Sequence, residues 1–394
     1  MSRVLLFPFA PGSGIAHAGA CASVAEVLVA RGHDVTIAYG GTRPEVVGVD
    51  GVRVVAVPEV REARTGRAPK PMYADAGEVE RFTRADAALI ERLAPDAVVT
   101  DLRIPARLAC EALGVPDVAL VHFLPLLPYS ADTPWRRRRR ELRRPVTALS
   151  YLPRLFGHDP LGGRELGRAV TETRRRLGLD TDAPLVDGRR AAVTSTPELD
   201  PARRLPDHWR YVGPITWGGP ASAGAAPARA ERPLVYVTQG SAGSGRHLRR
   251  ALRELRREPV DVVASATRLA DPEALRALGA NVRAAADLPG AACMRAAHAA
   301  VIHGGHLTAC EAHVAGTPVV VVPAGLDHWM TVHRVRRLGV GIALPGPRAP
   351  GEIRRGVRRV LGDERYARRA REVAAGLRGW NGSAGAADLV EELL

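Results

Sequence analysis

An α/β fold with two successive parallel sheets is predicted by three observations. Short apolar runs recur along the chain, helical patterns stand between them, and this rhythm stops once and restarts. The runs are continuous rather than alternating, which suits strands of a parallel sheet covered on both faces. With 394 residues, 46% of them hydrophobic, there is apolar mass for two ordinary domains.

The first rhythm opens with an apolar run at 4–9, a helix near 19–31 with Val24, Val27 and Leu28 on one stripe, and a run at 35–39. That is a β-α-β unit. Runs at 52–57, 97–100 and 118–121 continue it, the last two separated by a helix near 105–113 that stops at Gly114. Residues 214–231 are rich in Pro, Gly and Ala without period and read as an interdomain linker. The rhythm resumes at 234–238, 260–265, 282–284, 299–302, 319–322 and 341–343. The expected division is 1–213, a linker at 214–231, and a second domain at 232–375. Loops after strands hold the candidate residues, because open α/β sheets bind ligands beyond the carboxyl ends of their strands.

Lys and Arg total 56 against 42 Asp and Glu, a formal net charge of +14, and Lys70 is the single lysine. Such a balance suits nucleic acid, an anionic membrane surface or a phosphorylated small substrate, and does not choose among them. The densest cluster, Arg136–Arg144 behind Trp135, reads as a solvated face or as an acceptor or membrane patch. Nucleic acid is disfavoured, since aromatics are 4% of the chain and do not interleave with the arginines. The four cysteines are far apart with no Cys-x-x-Cys pair, which argues against a disulfide framework or zinc ribbon and for a cytoplasmic location. Residues 4–9 read as a first strand rather than a signal peptide. No uncharged apolar run approaches the roughly 18 residues of a membrane span, so membrane contact is expected to be peripheral at most.

The segment 300–311 takes an apolar strand into His303-Gly304-Gly305 and then a helix. The glycines let backbone approach a ligand, and the helix start offers N–H groups and a positive dipole end, a place for phosphate. His303 and Thr308 add donors, and Glu311, about a turn later, can accept from ribose hydroxyls. Downstream, Gly316-Thr317-Pro318 precedes a strand that ends in Pro323, Asp327 and His328.

In this spacing the sequence resembles the family-one glycosyltransferases, especially bacterial enzymes that decorate natural products. That family holds a nucleotide sugar with a His-Gly-Gly-x-x-Ser/Thr loop, a Glu three residues later, a Gly-x-Pro, and a Pro-x-x-x-Asp-Gln. The resemblance implies that Ser241, His303, Gly304, Gly305 and Thr308 contact the diphosphate and that Glu311 contacts the ribose. Asp327 and His328 would face the donor sugar, with His328 standing where the family usually has Gln. The first domain is similar to the family's Gly-His-x-x-Pro turn and later Arg-Gly-His. His17 and His33 keep the 16-residue offset, while Ala16 and Ala20 replace Gly and Pro. By that resemblance His17, between strand and helix, is the catalytic base. Asp101, ending the run from Pro95, is its partner, and Asp96 faces the wrong end of the sheet.

The implied fold is GT-B, two Rossmann-like domains facing across a cleft, with the helix at 376–394 returning to the first domain. The implied reaction is inverting transfer from a UDP- or TDP-linked sugar to a small-molecule acceptor, without metal or bound cofactor. A homodimer is compatible with this reading. His303, His306 and His313 as zinc ligands, and Asp180-Thr181-Asp182 as a metal-holding Asp-x-Asp, are weighed as alternatives; the latter reads as a solvated turn. The rival functions are a nucleotide-sugar 2-epimerase of the same layout and a non-enzymatic anion or nucleic-acid binder.

Overall fold

The computed structural model describes residues 1–10, 15–58, 75–122, 163–181, 187–219, 232–241, 243–324, 328–344 and 349–394. Asp327, Asp182, Trp135 with Arg136–Arg144, and positions 220–231 of the expected linker lie outside the described residues. The chain forms two compact units, Met1–Gly213 with Gly382–Leu394, and Pro214–Asn381.

The first unit is built on seven parallel strands: β1 (Arg3–Pro8), β2 (Asp34–Tyr39), β3 (Val52–Ala56), β4 (Ala97–Asp101), β5 (Asp117–Val121), β6 (Arg190–Val193) and β7 (Trp209–Tyr211). Their order is β3-β2-β1-β4-β5-β6-β7. Continuous apolar strands become central because both faces are covered: Val4, Leu5, Leu6 and Phe7 of β1 are all buried. On one face Leu5, Phe7 and Val98 pack with Leu89 and Ile90 of helix α2 (Ala76–Leu93) and Ala106 and Cys110 of α3 (Ile104–Leu113). Helix α2 starts where Asp75 accepts the Glu78 N–H at 2.8 Å, and α3 stops at Gly114, whose φ of +67° closes the last turn. The last helix, α12 (Gly382–Glu391), also belongs to this unit, and Glu391 on it meets Arg31 at 2.7 Å and His33 at 3.0 Å.

Two strands, β6 and β7, have no counterpart among the sequence expectations. Their segments, Arg-Ala-Ala-Val and Trp-Arg-Tyr, each contain an arginine and no run of large apolar residues, and each strand extends the ladder of its neighbour. Helix α1 (Ala16–Ala30) starts earlier than the expected position near 19. The residues at 16, 18 and 20 are alanines, the strongest helix former, and no proline stops the helix from running back. His17 is therefore in the first turn of α1 rather than in the loop before it.

The second unit repeats the plan with six parallel strands: β8 (Leu234–Thr238), β9 (Asp261–Ser265), β10 (Val282–Ala285), β11 (Ala299–Ile302), β12 (Val319–Val321) and β13 (Gly341–Ala343). Their order is β10-β9-β8-β11-β12-β13. Leu248, Leu252 and Leu255 of α5 (Gly245–Leu255) and Ile353, Val357 and Val360 of α10 (Glu352–Gly362) bury against Val235, Val262 and Val320. Glu254 on α5 accepts the N–H groups of Ile353 and Arg354 at 2.9 and 3.1 Å, and so caps α10 from outside it. In both units the strand order reverses beside the first strand, between β1 and β4 and between β8 and β11, which opens a crevice at the carboxyl ends of those strands.

One buried ion pair ties α2 to the chain leaving β4. Arg103 sends Nε and Nη2 to the two oxygens of Asp86 at 2.8 Å each, both residues being almost wholly buried, and its guanidinium lies over the Phe7 ring. Removing one partner of such a pair leaves the other charge uncompensated. Arg103→Ala is expected to lower unfolding stability by about 3–5 kcal/mol in a urea titration, and Asp86→Leu with Arg103→Met to recover most of that loss.

Candidate active site

In the first unit the crevice gathers side chains from four elements. Asp101 closes β4 with no solvent exposure, and its carbonyl accepts the Phe9 N–H at 2.8 Å, which locks the ends of β1 and β4 together. Leu102 follows at φ +53°, an uncommon conformation for a residue with a Cβ, and turns the chain away from the sheet. His17 Nδ1 lies 2.9 Å from Asp101 Oδ1. His122, the first residue past β5, brings Nε2 to 2.9 Å from the same oxygen. The His122 Nδ1 lies 2.8 Å from Thr194 Oγ1, at the end of β6.

Burial by itself would raise the Asp101 carboxyl, but the charges and hydrogen bonds of His122 and His17 outweigh it and hold it well below the usual carboxylate range. Asp101 is therefore an acceptor at neutral pH, and each imidazole presents an N–H to it. In the neutral form of His17 this places the hydrogen on Nδ1 and leaves the Nε2 lone pair for other chemistry. The His17 side chain is 24% exposed, so solvent-borne molecules reach it. Asp96, by contrast, sits at the opposite end of β4, where it accepts the Arg3 N–H at 2.7 Å.

His17, Asp101 and His122 also form a set of the kind that holds a transition metal, with ligand atoms within 4.8 Å of one another. The two N···O separations of 2.9 Å are hydrogen-bond lengths, shorter than the roughly 3.3 Å between ligands of a tetrahedral zinc with bonds of about 2.0 Å. As it stands the set is an N–H···O network. Among the described residues, His303, His306 and His313 form no such group.

In the second unit the crevice lies between the turns after β8 and β11. His303 is 4% exposed, and its Cε1–Nε2 edge stands close to the backbone at Gly240 and Gly305. A Cβ at Gly240 would stand 2.5 Å from its Cε1, and one at Gly305 2.4 Å from its Nε2, so both positions require glycine. Burial, aided by the charge of His328, pushes the His303 imidazole well below its ordinary range, so it is neutral. His328 opens α9 (His328–Leu338), is itself buried, accepts the Ala324 N–H on Nδ1 at 3.1 Å, and meets the His303 ring edge to face at 4.6 Å.

Helix α8 (His306–Ala315) has Gly305 as its N-cap, which supplies no side-chain oxygen to its first N–H groups. Thr308 is on its first turn, half-buried, and Ser241 is half-buried beyond β8. Glu311, one turn on, is buried against Gly290, where an added Cβ would lie 2.7 Å from its Oε2. Burial pushes the Glu311 carboxyl up to about 8, against the opposing pull of the Trp217 backbone N–H and the Arg295 charge. The turn thus offers backbone N–H and hydroxyl donors, a neutral imidazole, and a dry carboxyl about one helical turn away.

Residues 250–380 match the family model described as the C-terminal domain of erythromycin biosynthesis protein CIII-like proteins. The PGL/p-HBAD biosynthesis rhamnosyltransferase of Mycobacterium bovis (strain BCG / Pasteur 1173P2) is 29% identical over 312 residues, covering 75% of this chain and 67% of the relative. The zeaxanthin glucosyltransferase of Pseudescherichia vulneris is 26% identical over 405 residues, covering 96% and 95%. Among solved structures, the glycotransferase of kitacinnamycin superimposes with a TM-score of 0.75 at 22% identity, over 100% of this chain and 99% of that one. The chain is a glycosyltransferase of the GT-B fold, similar to the bacterial enzymes that glycosylate natural products.

The structure of this glycosyltransferase brings the sequence-chosen residues into two groups. His17 and Asp101 meet in the first unit, and Ser241, His303, Gly304, Gly305, Thr308, Glu311 and His328 line adjoining turns of the second. His122 is absent from the sequence expectations. A histidine directly after an apolar strand is a signal that the strand-end rule could have found, and its register beside Asp101 is what singles it out.

The Glu311 carboxyl has a stability consequence. Its pKa is raised from 4.5 to about 8, so the folded chain holds a proton that the unfolded chain releases, and stability falls as pH rises across that window. Glu311→Gln in the unliganded glycosyltransferase is expected to match wild type near pH 4.5. It should melt higher by about 10–20 °C at pH 8, since a rise from 4.5 to about 8 is worth about 5 kcal/mol and roughly 2–4 °C accompanies each kcal/mol in a unit of this size. Differential scanning fluorimetry between pH 4.5 and 9 reads it.

Proposed function

We propose that this glycosyltransferase moves a sugar, with inversion, from a UDP- or TDP-linked donor to a hydroxyl of a small-molecule, secondary-metabolite acceptor. His17 is the general base and Asp101 its partner. The observation that carries the reading is the 2.9 Å contact from His17 Nδ1 to a carboxylate held ionised, which leaves Nε2 of the neutral ring as a lone-pair base on a partly exposed side chain.

In the proposed step His17 Nε2 takes the acceptor's hydroxyl proton as that oxygen attacks the anomeric carbon from the face opposite the diphosphate. The anomeric C–O bond breaks and its electron pair leaves with the diphosphate. The imidazolium formed on His17 is balanced by Asp101 through the Nδ1–H bond. The diphosphate's negative charge is met by N–H groups at the start of α8, by the hydroxyls of Thr308 and Ser241, and by the neutral His303, with Gly304 and Gly305 letting the backbone approach. Glu311 accepts from the ribose, and Asp327 with His328 serves the sugar hydroxyls. The scheme calls on no metal. The relatives' names, one in PGL/p-HBAD biosynthesis and one a zeaxanthin glucosyltransferase, support an acceptor that is a small molecule rather than a protein or nucleic acid.

A thermal-shift screen with UDP, dTDP and their glucose conjugates is expected to raise the melting temperature for at least one nucleotide series, and a flat response throughout would reject the donor assignment. With that donor, His17→Ala should cut turnover by about 1,000-fold while keeping the nucleotide-induced shift, and activity should survive EDTA. Near-normal turnover of the variant would remove His17 as the base.

A further inference from the structure

The scheme above gives His122 no task, yet this side chain makes the second hydrogen bond to the oxygen on which His17 depends. Asp101 Oδ1 takes both imidazoles at 2.9 Å, whereas its Oδ2, also buried, has no hydrogen-bond partner among the described residues. A carboxylate held through one oxygen swings about its own side-chain torsions unless something fixes that oxygen. His17 cannot be the anchor, because its ring is what the carboxylate orients.

The anchor comes from the other side. His122 Nδ1 contacts Thr194 Oγ1 at 2.8 Å, and Thr194 is held twice on the Val121 carbonyl, by its backbone N–H at 2.9 Å and by its hydroxyl at 3.1 Å. The hydroxyl has one hydrogen. Whether it goes to Val121 or to His122 Nδ1, the ionised Asp101 requires a hydrogen on His122 Nε2. A row of contacts therefore runs from the backbone between β5 and β6, through a ring with both nitrogens engaged, to the carboxylate.

We propose that His122 is a positioning residue for sugar transfer: clamped by Thr194, it donates Nε2–H to Asp101 Oδ1 and holds that oxygen on His17 Nδ1. The role rests on the reading of His17 as the base. It is distinct from filling space, because it depends on one nitrogen atom at one distance from the backbone.

That dependence supplies the test. A glutamine amide nitrogen reaches about as far from the backbone as histidine Nε2, while an asparagine nitrogen reaches only to the place of Nδ1. With UDP-glucose or dTDP-glucose and a phenol acceptor, followed by nucleoside diphosphate release, His122→Gln is expected to stay within about 5-fold of wild-type kcat. His122→Asn should lose about 100-fold, the scale of a 1 Å misplacement, with KM for the donor unchanged in both. Equal kcat in the two variants overturns the proposal, as does a fall confined to KM. Nitrogen-15 NMR of the wild-type imidazoles needs no variant to fold: a hydrogen on His122 Nε2 at pH 7 is expected, and a bare Nε2 overturns it. If His17→Ala keeps turnover, the base assignment fails; if His17→Ala is inactive while Gln and Asn at 122 behave alike, the positioning role alone fails.

Discussion

A carboxylate without solvent contact is tolerated only when its charge is met, because moving an ion out of water costs several kcal/mol even after relaxation. At Asp101 the compensation comes from two imidazoles. Arginine would have stabilised the charge as well, as it does for Asp86 a short distance along the chain, but a guanidinium does not exchange protons near neutral pH. Imidazoles do. The same contact that makes the buried carboxylate affordable therefore leaves a usable lone pair on the far nitrogen of His17. Much of the first unit serves that arrangement. Strand β4 ends in Asp101, β5 and β6 are followed directly by His122 and Thr194, α1 begins early enough to carry His17 in its first turn, and Leu102 takes an uncommon φ just past Asp101.

The second unit places its own site at the corresponding point of a sheet with the same strand order, but fills it differently. There the residue past the fourth strand of the series is His303, dry and neutral, packed on two glycine backbones. Charge is offered by peptide dipoles at the start of α8 rather than by side chains, and no Lys or Arg occurs between 303 and 311. The net charge of +14 thus says little about this turn. Much of the arginine is engaged on helix surfaces, as where Arg358 grips Glu258 and Arg176 bridges Glu172 and Glu80.

Legibility of the sequence followed the physical range of each signal. The apolar strands at 4–9, 97–100, 118–121, 234–238 and 299–302 were readable because burial on both faces demands a continuous hydrophobic run, and the structure has strands at each. Strands β6 and β7 were not, because Arg190 and Arg210 stand in short segments without a run of large apolar residues, and the ladder of the neighbouring strand completes them. The start of α1 was misplaced by a few residues, where alanines carried the helix past the expected boundary.

By itself the chain determined the two α/β rhythms and the glycines at 304 and 305, since each is a local property of composition or spacing, whereas the expectation that residues 17 and 101 pair came from the family resemblance. Only the tertiary structure decided that His122 shares an oxygen with His17, that Gly240 stands close to the edge of the His303 ring, and that Glu311 is dry enough to hold its proton. Those facts arise from strand register and burial, which bring together residues 21 to 84 positions apart, and no local pattern along the chain encodes such distances.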